Sequence, residues 1–113
     1  MPPDQLAASL IYAGLGLEPP ESRFYYPAGE IAVFRNSVIE AGLSIDGQRF
    51  MEALTGIFQW RKGWRRIPAD EIMALARISK HASFLAARDE ARNAGLIAVR
   101  AGYNLASYRL EVG

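Results

Sequence analysis

At 113 residues the chain is long enough for one domain with a single core, and too short for two comfortable ones. Half of its residues are hydrophobic and 22% are charged, a globular composition that argues against a wholly disordered chain. It has no cysteine, one histidine and a net charge of +1, which excludes disulfides, thiolate metal sites, multi-histidine metal sites and a Cys–His catalytic pair.

Taken in order, Asp4 precedes an apolar pattern of Leu6, Leu10, Ile11, Ala13 and Leu17 that predicts an amphipathic helix ending near Gly14 and Gly16. The opening segment lacks a basic n-region and does not read as a signal peptide, and no apolar run is long enough to span a membrane. A cytoplasmic location is the simplest expectation. The stretch LEPPESR, 17–23, predicts a loop. FYYPAGEIAVF, 24–34, is β-prone and broken by Pro27 and Gly29, which predicts a short extended piece over 31–34. Asn36 or Ser37 would then cap a short helix that stops at Gly42. Ser44 opens a longer segment in which Phe50, Met51, Leu54, Ile57 and Phe58 follow helical spacing, so a helix runs over about 46–59, weakened by Gly47 and Gly56.

WRRI, 64–67, predicts a brief strand, and Pro68 with Asp70 and Glu71 opens a helix whose inward residues are Ile72, Leu75 and Ala76. Ile78 and Ser79 make a tight turn. The next helix runs from 79 or 80 to 93 with Phe84, Ala87 and Ala91 inward, followed by Leu96, and Gly95 ends it. The remainder alternates like a two-stranded ribbon, 96–100 and 107–112, turning at Gly102 and Asn104. The chain's last residues, LEVG, close the last expected strand and suggest a boundary there.

The order helix, strand, helix, tight turn, helix, β-hairpin resembles a winged helix-turn-helix, carried by IPADEIMALARISKHASFLAARDEARNAGLIAV, 67–99. Residues 42–97, with GLSIDGQRFMEALTGIF followed by WRKGWRRIPADEI, look most like the N-terminal DNA-binding domains of phage and plasmid replication proteins, although small bacterial repressors share most of the pattern. The chain departs from it at Ala87 and Arg88, where a recognition helix usually has Leu or Val, and at Arg77 and Ile78, where a turn glycine is usual. The resemblance implies an α+β, mostly α, winged helix with a C-terminal hairpin wing and an extra N-terminal helix. Its domains would be an extension over 1–30 and a winged helix over 31–113.

Charge agrees with a polyanion-binding face. Residues 1–60 hold three arginines against seven carboxylates, a balance of −4, whereas residues 61–113 hold ten Lys or Arg against five carboxylates, a balance of +5. On the winged-helix reading, the helix over about 79–93 enters the major groove of double-stranded DNA, and Lys80, His81 and Ser83, flanked by Arg88, meet base edges or phosphates. Arg61, Lys62, Arg65 and Arg66 in RKGWRR are candidates for phosphate contact, with Gly63 allowing close approach. The wing offers Arg100 and Asn104, with Tyr103 and Arg109 beside them. Each has a plainer reading as a solvated face, and Trp60 and Trp64 read as core or staple residues rather than as contacts.

Catalysis is not expected. There is no G-x-S-x-G, no P-loop and no G-x-G-x-x-G, and GLGLE at 14–18 lacks the third glycine. The pairs Asp70–Glu71 and Asp89–Glu90 are neighbours on helices and point apart. No metal, cofactor or small-molecule ligand is expected. The functional expectation is sequence-specific binding of duplex DNA by a replication-initiator or transcriptional-regulator module, with a winged helix that binds protein instead as the alternative. The first helix would pack on its own domain or join a homodimer.

Overall fold

The structure, a computed structural model, describes residues 23–101 and 105–112. The helix expected over 4–17, most of the loop over 17–23 and the turn at Gly102 and Asn104 lie outside the described residues. The described residues form four helices and a three-stranded antiparallel sheet, an α+β arrangement that is mostly helical.

Helix α1, Ala28–Glu40, runs through the segment 31–34 that sequence reading assigns to an extended piece. Pro27 does not break it. Its backbone is extended (ψ 149°), its carbonyl accepts the Ile31 N–H at 3.0 Å, and a proline ahead of a helix loses no hydrogen bond by lacking an N–H. Ile31, Phe34 and Val38 share the inner face of α1, and Phe34 is buried with its ring edge-on to Trp60 at 5.9 Å. Ser37, expected to cap a separate short helix, lies mid-helix, where its hydroxyl donates to the Val33 carbonyl at 3.1 Å. The division expected between residues 30 and 31 falls inside this helix.

Helix α2, Ile45–Phe58, starts one residue before the expected position. Ser44 is its N-cap, with a hydroxyl that accepts the Gly47 N–H at 3.1 Å. Phe50, Met51, Leu54 and Phe58 form its buried stripe. Strand β1, Arg65–Pro68, leads directly into α3, Ala69–Ala76, where Asp70 and Glu71 stand in the first turn as the helix dipole favours. Ile72 and Ala76 are buried. Leu75, expected inward, is 59% exposed, because the apolar stripe runs through Ala69, Ile72, Met73 and Ala76 and leaves Leu75 outside it.

The turn after α3 closes on Arg77, a non-glycine residue at φ 58°. The Ile78 N–H donates to the Met73 carbonyl (3.0 Å) and the Arg77 N–H to the Ala74 carbonyl (3.4 Å), so Arg77 occupies the left-handed position where helices usually place glycine. Ile78 then drops into the core. Helix α4, His81–Asn93, ends in the same motif with glycine in place: Gly95 has φ 76° and the Leu96 N–H reaches the Ala91 carbonyl at 3.1 Å.

Strands β2, Ile97–Arg100, and β3, Leu105–Leu110, complete the sheet in the order β1-β3-β2. β3 begins two residues earlier than expected, and its far edge pairs with β1, a long-range contact that a local pattern does not reveal. Ala106, Tyr108 and Leu110 alternate inward onto the helices, as a half-buried strand requires. Phe50 joins the layers: its ring centroid lies 5.8 Å from that of Phe84 on α4 and 6.3 Å from that of Tyr108 on β3.

Candidate nucleic-acid interface

Helix α4 packs on α2 and β2 through Phe84, Ala87 and Ala91, each nearly or fully buried. That packing fixes its outward side. Lys80, His81, Ala82 and Ala86 are exposed, while Ser83 and Arg88 are half-buried on the flanks. Lys80 is the N-cap and supplies no side-chain cap; its carbonyl accepts the Phe84 N–H at 3.0 Å. The first turn of α4 holds no acidic residue, in contrast with α3. A lysine at the positive end of a helix dipole opposes helix formation, so folding does not account for it. The N–H groups at that end and the Lys80 ammonium carry positive charge together, an arrangement that suits an anion.

The two carboxylates on α4 are engaged away from that end. Asp89 pairs with Arg92 at 3.3 Å, one turn along. Glu90 accepts the backbone N–H of Ser44 at the start of α2. In a capping box the glutamate sits three residues after the cap, but here that position is Gly47 and the carboxylate comes from α4. A Cβ on Gly47 would stand 2.5 Å from Glu90 Oε1, so the missing side chain makes room for the carboxylate. Arg88 lies along the flank with its Cζ 5.9 Å from the Phe84 ring, and its buried Nε has no hydrogen-bond partner.

The basic loop that follows α2 divides into three. Arg61 and Lys62 clasp the segment leading to α1: Tyr25 bridges Arg61, the Tyr26 N–H donates to the Trp60 carbonyl at 2.9 Å, and the Lys62 N–H donates to the Phe24 carbonyl at 2.7 Å. Their charged ends lie over Tyr25 and Tyr26, at 5.7 and 5.9 Å. Arg65 donates from Nη1 to the Ile57 carbonyl at 2.8 Å, satisfying a carbonyl at the C-terminus of α2. Arg66 is different: it is exposed on the outer side of the sheet, opposite Ser107 in register. Arg100, also opposite Ser107 from the other side, is exposed with its Cζ 4.0 Å from the centroid of the Trp64 ring, and Arg109 lies 4.9 Å from the same ring. Asn104 lies outside the described residues.

The two tryptophans therefore part company. Trp60 packs against the core under Arg35, as read from sequence, whereas Trp64 lies on the outer sheet face among arginines. Arg109 and Trp64 were weak signals alone; only the strand order brings them together. Among the described residues no group of three or more His, Cys, Asp or Glu side chains is placed to hold a metal ion. Among those residues, too, no helix is long and apolar enough to cross a membrane. Comparison of the chain with protein-family models, with curated proteins and with solved structures finds no match.

Proposed function

We propose that the stretch from α2 to β3 is a winged helix-turn-helix and that it binds double-stranded DNA, with the first turn of α4 in the major groove. The observation that carries this reading is the exposed, uncapped and acid-free N-terminus of α4, bearing Lys80 and His81. The element order and the short turn between α3 and α4 support it, as does the +5 balance of residues 61–113. Ala82 and Ala86, small and exposed, leave room for close approach to base edges. Within this reading Ser83 and Arg88 lie at the sides of the contact. A role at a replication origin or an operator rests on the sequence resemblance of residues 42–97 alone.

The test is selection of bound duplexes from a random pool at two salt concentrations, followed by anisotropy on the winner. Affinity falls steeply with salt, and Lys80→Ala weakens it at every salt concentration. Affinity that is flat in salt, or indifferent to Lys80→Ala, refutes the placement of α4.

A second reading, a protein-binding winged helix, is favoured by one observation: Val33 and Ile39 on α1 and Leu75 on α3 are apolar and more than half exposed. It predicts no shift of any duplex in a gel and loss of a protein partner on Leu75→Glu.

A further inference from the structure

We infer that the outer face of the three-stranded sheet is a second contact for nucleic acid, and that its ligand is the phosphodiester backbone. The inference rests on the nucleic-acid reading above for the nature of the anion, but its side chains are independent of α4.

Strand alternation puts Ile67, Ala106, Tyr108 and Leu110 against the helices and leaves Arg66, Ser107, Arg109 and Arg100 on the opposite side. Across the three strands Arg66, Ser107 and Arg100 form one row, each directly opposite the next. Trp64, just ahead of β1, lies against both Arg100 and Arg109. Among the described residues, three guanidiniums thus share one face with a single acidic partner, Glu111, which holds Arg109 at 2.8 Å. Among the described residues Arg66 and Arg100 have no ion pair.

Such crowding of like charge does not help the fold. A guanidinium stacked on an indole gains about 0.5–1 kcal/mol at an exposed site and still keeps its N–H donors in the plane of the group, directed away from the ring. Those donors match the paired oxygens of a phosphate. Ser107, small and half-buried between Arg66 and Arg100, leaves a dip in the row and adds a hydroxyl. Trp64 is a positioning residue that fixes two of the three arginines. Because α4 packs on the inner side against β2, this face meets a stretch of backbone different from the one at Lys80.

The experiment uses the full chain carrying Trp60→Phe, so that Trp64 alone emits, and a random-sequence 20-base-pair duplex as probe, with polyglutamate in a parallel titration. Trp64 emission changes on adding duplex, with the same midpoint as duplex anisotropy. Arg66→Ala combined with Arg100→Ala weakens binding about five- to tenfold and flattens the log K against log salt slope by about 1.8. Arg100→Lys, which keeps the charge and preserves the fold if the alanine pair does not, gives an intermediate loss. If the arginine variants leave affinity and slope unchanged while Lys80→Ala weakens binding, this face is not a contact and the α4 reading stands. If the arginine variants weaken binding and Lys80→Ala does not, the outer face stands and the α4 reading fails. No duplex binding at any salt overturns both, and a Trp64 response to polyglutamate but not to duplex overturns this inference in favour of an acidic protein partner.

Discussion

The contact between Glu90 and the start of α2 predicts a change of sign that ordinary side-chain preferences do not. The Glu90 carboxylate accepts the Ser44 N–H and sits where a side chain on residue 47 would otherwise be. A hydrogen bond to a charged group is worth about 1.5–3 kcal/mol, and a carboxylate at a helix N-terminus adds about 0.3–1 kcal/mol. Ser44 is exposed, so water replaces part of the lost bond. Glu90→Ala should therefore cost about 1–2 kcal/mol, and Glu90→Gln, which keeps an acceptor without the charge, about half of that. Gly47→Ala alone should also destabilise. Alanine is favoured over glycine within a helix by about 1 kcal/mol, but the new Cβ would displace the carboxylate. With Glu90→Ala present that obstacle is gone, and Leu43 Cβ, at 3.1 Å, remains as a tight neighbour. Gly47→Ala should then be neutral to stabilising, with a coupling of about 1 kcal/mol or more between the two sites. Urea denaturation of the four proteins measures this. Additive effects, or a Glu90→Ala variant as stable as the parent, would refute the reasoning.

Three further outcomes are expected. Arg77→Gly relieves a left-handed backbone at φ 58° and should stabilise by about 0.5–1 kcal/mol once the greater unfolded-state freedom of glycine is subtracted; a lower urea midpoint would contradict this. Burial, then the nearby Glu111 and Glu30, push the Tyr26 phenol above its ordinary value of 10.0 against the opposing pull of Arg109, and its hydroxyl donates to the Leu110 carbonyl at 3.1 Å. The folded state therefore holds that proton more tightly. The contribution is complete below pH 10 and is lost as pH rises through the raised value, and Tyr26→Phe should flatten this alkaline decline in stability. Ala87→Leu should overpack a site only 2% exposed and cost about 1–3 kcal/mol, read as a fall in Tm.

Sequence periodicity located α2, α3 and α4 to within a residue or two, because each buries an apolar stripe against the same core and has a recognisable start or stop. It failed at α1 for a physical reason. Among its thirteen residues only Phe34 is buried, so tertiary packing leaves a faint imprint, and the β-prone FYY beside Pro27 outweighs the helical spacing of Ile31, Phe34 and Val38. The exposure of Lys80 and His81 at the start of α4 was legible from the inward spacing of Phe84, Ala87 and Ala91. The Glu90 cap was not, since Ser44 is followed three residues later by glycine, and the acid that completes the motif is 46 residues away. The arginines around Trp64 were equally hidden. Each strand reveals its own alternation, but which strands adjoin is decided by pairing across the whole chain.

The way α4 is held bears on why its charged end is tolerated. Lys80 opposes the helix dipole, and no side chain caps the first turn, so local preference favours fraying there. The rest of the helix is secured from several sides. Phe84, Ala87 and Ala91 are buried, and the two alanines let α4 approach α2 closely. Glu90 ties it to the head of α2, the left-handed Arg77 sets its entry, and the Gly95 turn satisfies carbonyls at its end. An unfavourable, exposed first turn on an otherwise anchored helix is the arrangement expected where charge serves a ligand rather than the fold. Replacing Lys80 by an acid would suit the dipole better, so the proposed role predicts a gain in stability together with a loss of duplex binding.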